Sequence, residues 1–260
     1  MYFDDLCNEF SKLNQVQAIA LGGSRAGKSY DIKSDYDLYL YVTEIPTEEE
    51  RKAIIEKYCS YIELGNSFWE LEDDCTLKDG IDIDILYRKL EDFDKDLYSV
   101  VFDCNSHNGY TTCMWHNLLN CKILYDKEGQ LGALKQKYNV SYPEQLKNNI
   151  IDRNLKLLSG YLPSYQGQIT KALGRNDRVS VNHRVTAFME SYFDIIFALN
   201  LLTHPGEKRE VEYAVKNAKL LPKSFEKNIN TLFDYMFADK NKTILIIELM
   251  VKNLKDLIAQ

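Results

Sequence analysis

The sequence predicts an α+β fold: a mixed β-sheet domain in the first half and an all-helical bundle in the second. Three features carry this. Runs with strand period, Val16–Leu21, Asp35–Val42 and Ile81–Tyr87, fill the first ninety residues. A helix-period segment opened by Thr47 follows the second run, and such a crossover implies a sheet with mixed pairing. From Leu131 onward apolar residues recur at helical spacing, interrupted at Pro163, Pro205 and Pro222, where helices break.

In chain order, Met1–Leu13 reads as a short helix with Phe3, Leu6, Cys7 and Phe10 on one face. Val16–Leu21 is the first strand. Gly22 and Gly23 make a tight turn, and Ser24 is expected to cap a short helix after it. Asp35–Val42 is the second strand. Thr47 caps a helix running to Tyr58, with Glu48, Glu49 and Glu50 in the first turn, where the helix dipole favours anions. Tyr61–Leu64, Phe68–Glu72 and Ile81–Tyr87 read as three further strands, the last two joined by the turn Lys78-Asp79-Gly80. Leu90–Asp103 and Thr112–Leu119 read as helices and Lys122–Tyr125 as a short β run. Six helices follow, at 142–158, 165–173, 178–202, 207–220, 223–237 and 244–259. The domain boundary is expected between 125 and 142, which gives residues 1–130 and 131–260 as the two domains.

Hydrophobic residues make up 45% of the chain, and Gly and Pro are sparse, which fits a folded core. The net charge is −7 with no long basic run. Nucleic-acid binding needs a basic surface that displaces counterions, so a nucleic-acid partner is not expected. An acidic protein suits a small or cationic partner better. Six cysteines stand at 7, 59, 75, 104, 113 and 121 with no Cys-x-x-Cys. No signal peptide and no apolar run near the roughly 18 residues of a membrane span is seen. The expectation is a cytoplasmic protein with reduced thiols and no membrane partner. The pairs Cys104/His107 and Cys113/His116 lack the longer loop of a zinc finger and read as core residues. Oligomeric state is not legible.

The stretch Leu21–Asp37 carries the chemistry. Gly22 to Ser29 match G-x-x-x-x-G-K-[ST], a phosphate loop in which Lys28 would reach the outer phosphates. Such a loop must open a crossover helix of about ten or more residues. Only Tyr30–Ser34 separate it from the next strand, so that reading lacks room. A second reading needs less. The glycine turn leaves no Cβ in the way of a phosphate, and Ser24 presents a hydroxyl and an N–H to it. Arg25 and Lys28 beside the turn would neutralise a triphosphate. Ten residues intervene between Ser24 and Asp35. Asp35 and Asp37 then fall on one face of a strand. Paired carboxylates repel unless a cation lies between them, and Mg2+ with substrate phosphate oxygens is the natural partner. The chemistry is metal-assisted attack on an α-phosphate, with two ions clamping attacking and leaving oxygens. Asp82 and Asp84 alternate with Ile81, Ile83 and Ile85 in a strand context that disfavours aspartate.

Leu21-Gly22-Gly23-Ser24 followed by Asp35-Tyr36-Asp37-Leu38 resembles the signature of the DNA polymerase β-like nucleotidyltransferase superfamily, which adds a third carboxylate on a later strand. Asn108-Gly109-Tyr110, Cys121–Asp126 and Gly129 resemble a bacterial branch with a helical C-terminal domain, the DUF4037 type. By that resemblance Asp84 is the third metal ligand and Asp82 is extra. The resemblance implies transfer of a nucleoside monophosphate, AMP from MgATP or its counterpart from another NTP, to an acceptor hydroxyl or phosphate with release of pyrophosphate. The acceptor would be a small molecule, aminoglycoside-like by analogy with drug-modifying relatives. In related enzymes the helical domain clamps the outer phosphates, a role open here to the cluster Lys171, Arg175, Arg178, His183 and Arg184. It also supplies a carboxylate base, a role open to Glu190. The alternatives are a nucleotide- or protein-binding module without turnover, and the phosphate-loop NTPase.

Overall fold

The described residues place six strands in one mixed sheet, ordered β3-β4-β5-β2-β1-β6. The computed structural model describes residues 2–27, 34–68 and 70–260. The chain divides into two units: residues 1–98 with 117–140, and residues 99–116 with 141–260.

The first unit begins with α1 (Tyr2–Phe10), β1 (Val16–Leu21), the four-residue α2 (Gly23–Ala26) and β2 (Tyr36–Val42). It continues through α3 (Glu48–Ile55), β3 (Cys59–Asn66), β4 (Glu72–Leu77), β5 (Asp82–Lys89) and α4 (Leu90–Val101). After α5 (Cys113–Asn120), β6 (Lys122–Asp126) and α6 (Gln130–Lys137) complete it. β2 pairs with β5 in parallel, and every other pairing is antiparallel. This is the mixed sheet the crossover helix predicts. Because β1 runs antiparallel to β2, the glycine loop cannot be the turn of a parallel strand–helix–strand unit. The phosphate-loop NTPase is excluded on topology.

α1 and α3 contribute to a core on one sheet face, where Phe3, Leu6, Phe10, Ile54 and Ile55 meet Leu38, Leu40, Val42, Ile83 and Ile85. α3 is capped as its sequence dictates: Thr47 Oγ1 accepts from Glu50 N, and Glu50 accepts from Thr47 N at 2.8 Å. On the same face Arg51 donates to Asp73 Oδ1 at 2.8 Å. The Tyr87 hydroxyl donates to Asp73 Oδ2 at 2.8 Å, and Gly65 N to Oδ1 at 2.9 Å. This network explains one departure from the sequence reading, which puts the fourth strand at Phe68–Glu72. The strand is Glu72–Leu77. Its acidic start misleads propensity, but Asp73, Cys75 and Leu77 all point inward, and Arg51 neutralises the buried carboxylate.

The second unit holds α7 (Glu144–Leu158), α8 (Tyr165–Gly174), α9 (Arg178–Leu199), α10 (Glu210–Asn217), α11 (Phe225–Tyr235) and α12 (Lys240–Ile258). α9 is its axis. Its second half is buried almost all round, from Phe188 to Ala198 with Glu190 the exception, as a central helix must be. Ser164, Asp177 and Asp239 cap α8, α9 and α12 with their side chains. Residues 99–116, assigned to the sheet domain by a single boundary after residue 130, fold with this unit instead. A buried carboxylate holds them there. Asp194 Oδ1 accepts from Thr111 N at 3.1 Å, and Oδ2 accepts from the Thr111 hydroxyl at 2.7 Å and from Asn154 Nδ2 at 3.1 Å. No helix among the described residues is long and apolar enough to cross a membrane.

The buried Arg51–Asp73 pair yields the first prediction. Arg51→Met strands a buried carboxylate and should lower unfolding free energy by about 3 kcal/mol in urea titration. Lys52→Met removes only a solvent-exposed contact with Glu56 and should change it by less than about 0.5 kcal/mol.

Candidate functional site

The glycine turn is folded onto the second strand. Gly22 N donates to the Asp37 carbonyl at 2.8 Å. A Cβ on Gly22 would lie 2.2 Å from the Tyr39 ring. Gly23 has φ +56°, and a Cβ there would lie 1.7 Å from Asp37 Oδ2. Both glycines are therefore required by close approach, and Gly23 by its left-handed conformation too. The N-cap of α2 is Gly22, with no side-chain cap bond. Ser24 does not cap the helix as expected; it lies in its single turn, with its carbonyl accepting from Gly27 N at 3.2 Å. Arg25 is committed to the loop's return. Its Nε donates to the Ser34 carbonyl at 2.6 Å, and its guanidinium lies 4.1 Å over the Tyr36 ring. Tyr36 in turn stacks on Phe3 at 4.0 Å. Lys28 lies outside the described residues.

Asp37 on β2 is in register with Asp84 on β5, and Asp84 is in register with Asp74 on β4. Directly paired residues project to one face, so three carboxylates form a row across three strands, opposite the apolar face. Asp35 immediately precedes β2. Burial pushes the Asp84 carboxyl up to about 6, and the charges of Asp37, Asp74, Asp35 and Glu72 push the same way. Asp82, two residues earlier on the strand, accepts from the Thr76 hydroxyl at 2.8 Å and is exposed. Sequence reading did not single out Asp74 or Glu72. Their spacing shows a shared face only once the strand is placed at 72–77.

These oxygens are the hard donors that magnesium takes, and a divalent cation among them would relieve their repulsion. Among the described residues, no three His, Cys, Asp or Glu groups are already drawn together around one point. Further along the same face Arg88 is fixed. It pairs with both oxygens of Glu70 at 2.7 and 2.8 Å, donates to Asn117 Oδ1 at 3.1 Å and lies 4.1 Å over Tyr39. Tyr39 is the ring on which Gly22 rests, so this buried arginine supports the turn from below.

In the helical unit Lys171, Arg175, Arg178, His183 and Arg184 are all exposed, on α8, its C-cap and the first two turns of α9. Arg178 lies 4.9 Å from the Phe237 ring. Glu190 is half-buried. Gly109, at φ +96°, packs so closely that a Cβ would lie 2.8 Å from the Glu190 Cβ. Burial raises the Glu190 carboxyl, and so does Glu207. Burial also drives Glu210 up to about 8, assisted by Glu190, Glu207 and Asp194. Fully buried His204 is pushed down to about 3 by burial, although its Nε2 lies 3.3 Å from Glu210 Oε1. The charge of His116 pushes the same way, and neither His204 Nε2 nor Glu210 Oε1 has a hydrogen-bond partner among the described residues. Tyr110 enters the sequence reading only through the resemblance of Asn108-Gly109-Tyr110, and His204, Glu207 and Glu210 carry no sequence signal, since folding brings them together.

The model of a family described as a domain of unknown function (DUF4037) matches residues 111–208, less than half the chain. Among solved structures the chain is similar to a nucleotidyltransferase-like protein from Exiguobacterium sibiricum, at 11% identity and a TM-score of 0.43, over 97% of this chain and 71% of that one. It is also similar to an aminoglycoside 6-adenyltransferase from Bacillus subtilis, at 10% identity and a TM-score of 0.30, over 98% and 89%. A Thermotoga maritima CCA-adding enzyme, solved with tRNA, is similar at 13% identity and a TM-score of 0.29, over 99% and 81%. No curated protein matches by sequence.

Asp84 gives a prediction whose sign follows from linkage. Its folded pKa of about 6 lies above the ordinary aspartate value of about 3.9, so stability is lost as pH rises from about 4 to 6. Asp84→Asn, measured by thermal melting without metal, should raise Tm at pH 7.5 and leave it unchanged near pH 4.

Proposed function

We propose that this chain is a nucleotidyltransferase that moves a nucleoside monophosphate, AMP from MgATP, onto a hydroxyl or phosphate of a small acceptor and releases pyrophosphate. The observation that carries the proposal is the packing of Gly23 against Asp37, with Asp84 in register beside it. An anion-binding turn and a pair of carboxylates are thereby held together by backbone geometry. Polymer-like basic surface is lacking at a net charge of −7, which supports a small acceptor.

Asp35, Asp37 and Asp84 would hold the magnesium ions. When bound, these supply positive charge to the attacking and leaving oxygens of the α-phosphate. Gly22 and Gly23 admit the outer phosphates to the backbone, and Ser24 offers them its hydroxyl. Asp37 keeps the turn against β2 through its carbonyl, so one residue positions the phosphate-binding and carboxylate elements together. Lys171, Arg178 and Arg184 are the candidate clamp for the β- and γ-phosphates, and Glu190 the candidate base for an acceptor hydroxyl. Its raised carboxyl suits proton abstraction better than a solvated glutamate. The acceptor class that fits the acidic charge is aminoglycoside-like. All six thiols are free, which suits the reducing cytoplasm.

A second reading is nucleotide binding without turnover. It draws on the carboxylates not being drawn together around one point among the described residues. One experiment separates the two. The wild type should release pyrophosphate from ATP in the presence of acceptor and magnesium, and label from [α-32P]ATP should appear on the acceptor. Asp37→Ala should reduce this by at least about a thousandfold while Tm and far-UV circular dichroism stay at wild-type values. Magnesium-dependent binding of a non-hydrolysable ATP analogue without any label transfer would favour the binding module.

A further inference from the structure

We propose that a cavity in the first unit binds a small organic monocarboxylate that carries an apolar body and an amide. Lys89 and the first turn of α4 take the carboxylate, and Gln17 takes the amide. Binding is independent of the transfer reading and needs neither nucleotide nor magnesium.

The cavity has a volume of about 650 Å³ and lies where β2 and β5 end, against α4 and α6. Val42 and Lys89 are in register there, five residues beyond the register pair Asp37 and Asp84. At about 3.3 Å per residue that is roughly 16 Å along the strands, so this is not the aspartate site. Val42, Leu90, Ala133 and Leu134 give the cavity apolar walls.

Gln17 points to a ligand by itself. It is the extra residue where β1 slips against β2, between the pairs Val16–Val42 and Ala18–Tyr41. Gln17 is only 8% exposed, and its side-chain amide has no hydrogen-bond partner among the described residues. Nor is that amide sealed in. The unpaired polar atoms that are wholly enclosed, such as Tyr41 Oη, do not include those of Gln17. The open part of this side chain is therefore its amide, and it opens on the cavity that Gln17 lines. A buried amide requires a polar partner, and it both donates and accepts, as a second amide does.

The charges around the cavity select the other end of the ligand. Lys137 is taken by Asp94 at 2.7 Å, and Asp94 also accepts from the Tyr138 hydroxyl at 2.6 Å. Glu91 and Asp92 turn to Lys95, at 2.7 and 3.6 Å. Lys89 is exposed and forms no ion pair among the described residues. It stands directly before α4, a 12-residue helix whose first N–H groups have no partner within the helix. One unpaired cation beside a helix N-terminus matches one negative charge. The acidic residues nearby disfavour a dianion such as phosphate, because like charges brought together repel.

N-acetyl-leucine has all three parts and is the probe. Titrated to about 10 mM into the isotope-labelled full chain, it should shift backbone amide signals of residues 89–94 and 130–137 saturably. Lys89→Gln, at an exposed position, should weaken binding by about tenfold, and Gln17→Met by about fivefold. Ala133→Phe, also at an exposed position, should abolish it by filling the cavity. Lys52→Gln, on α3 and outside the cavity, removes the same charge as Lys89→Gln and should leave binding unchanged, as should Asp37→Ala. N-acetyl-leucinamide, which lacks the negative charge, should bind at least about tenfold more weakly. Absence of saturable shifts in the wild type overturns the proposal. So does undiminished binding by Ala133→Phe. An equal loss in Lys89→Gln and Lys52→Gln overturns it too, since that marks a response to net charge.

Discussion

Parallel pairing of β2 with β5 places Asp37 beside Asp84, and much of the first unit serves to hold that register. A strand cannot return parallel to its neighbour through a tight turn, so the chain between them must cross over. Here α3, β3 and β4 fill the crossover, and β4 then pairs with β5 from the other side. A slip of one residue would send Asp84 into the apolar face and Ile83 or Ile85 out of it. The burial of those isoleucines therefore fixes the carboxylate geometry, although neither touches a reacting group.

The two faces of this sheet treat charge differently. On the inner face Asp73 is buried but answered by Arg51, Tyr87 and Gly65. On the outer face Asp37, Asp84 and Asp74 stand in a row, and the burial and repulsion that raise Asp84 are not cancelled by a neighbouring cation. Nearby, Arg88 is spent on Glu70, Asn117 and Tyr39. Arginines thus face Asp73 and Glu70, whereas the charges that bear on Asp84 are those of other carboxylates, and Asp74 accepts from Asn66 Nδ2 at 3.0 Å.

The helical unit repeats the contrast around α9. Asp194 is buried, accepts three hydrogen bonds and ties residues 99–116 to the helices. Glu190, four residues earlier on α9, faces Gly109 and has no such set of donors. The same short segment thus anchors the unit through Thr111 and packs on Glu190 through Gly109. Structure and candidate site are separated by a single turn of α9.

The sequence by itself determined the strand at Val16–Leu21, the Thr47 cap, the glycine turn and the two aspartate pairs, because each rests on local backbone chemistry or on a period of two or 3.6. It misplaced the fourth strand, because the charge of Asp73 reads as a loop until Arg51, distant in sequence, is seen to neutralise it. It named Ser24 as a cap where Gly22 takes that place, because the close contact of the turn with Asp37 and Tyr39 is not local. Tertiary structure alone decided that Asp74 joins the aspartate row, that residues 99–116 fold with the helices, and that Tyr110, His204 and Glu210 meet. Each of these is a contact across many residues of chain, set by strand register and helix packing, which no local pattern encodes.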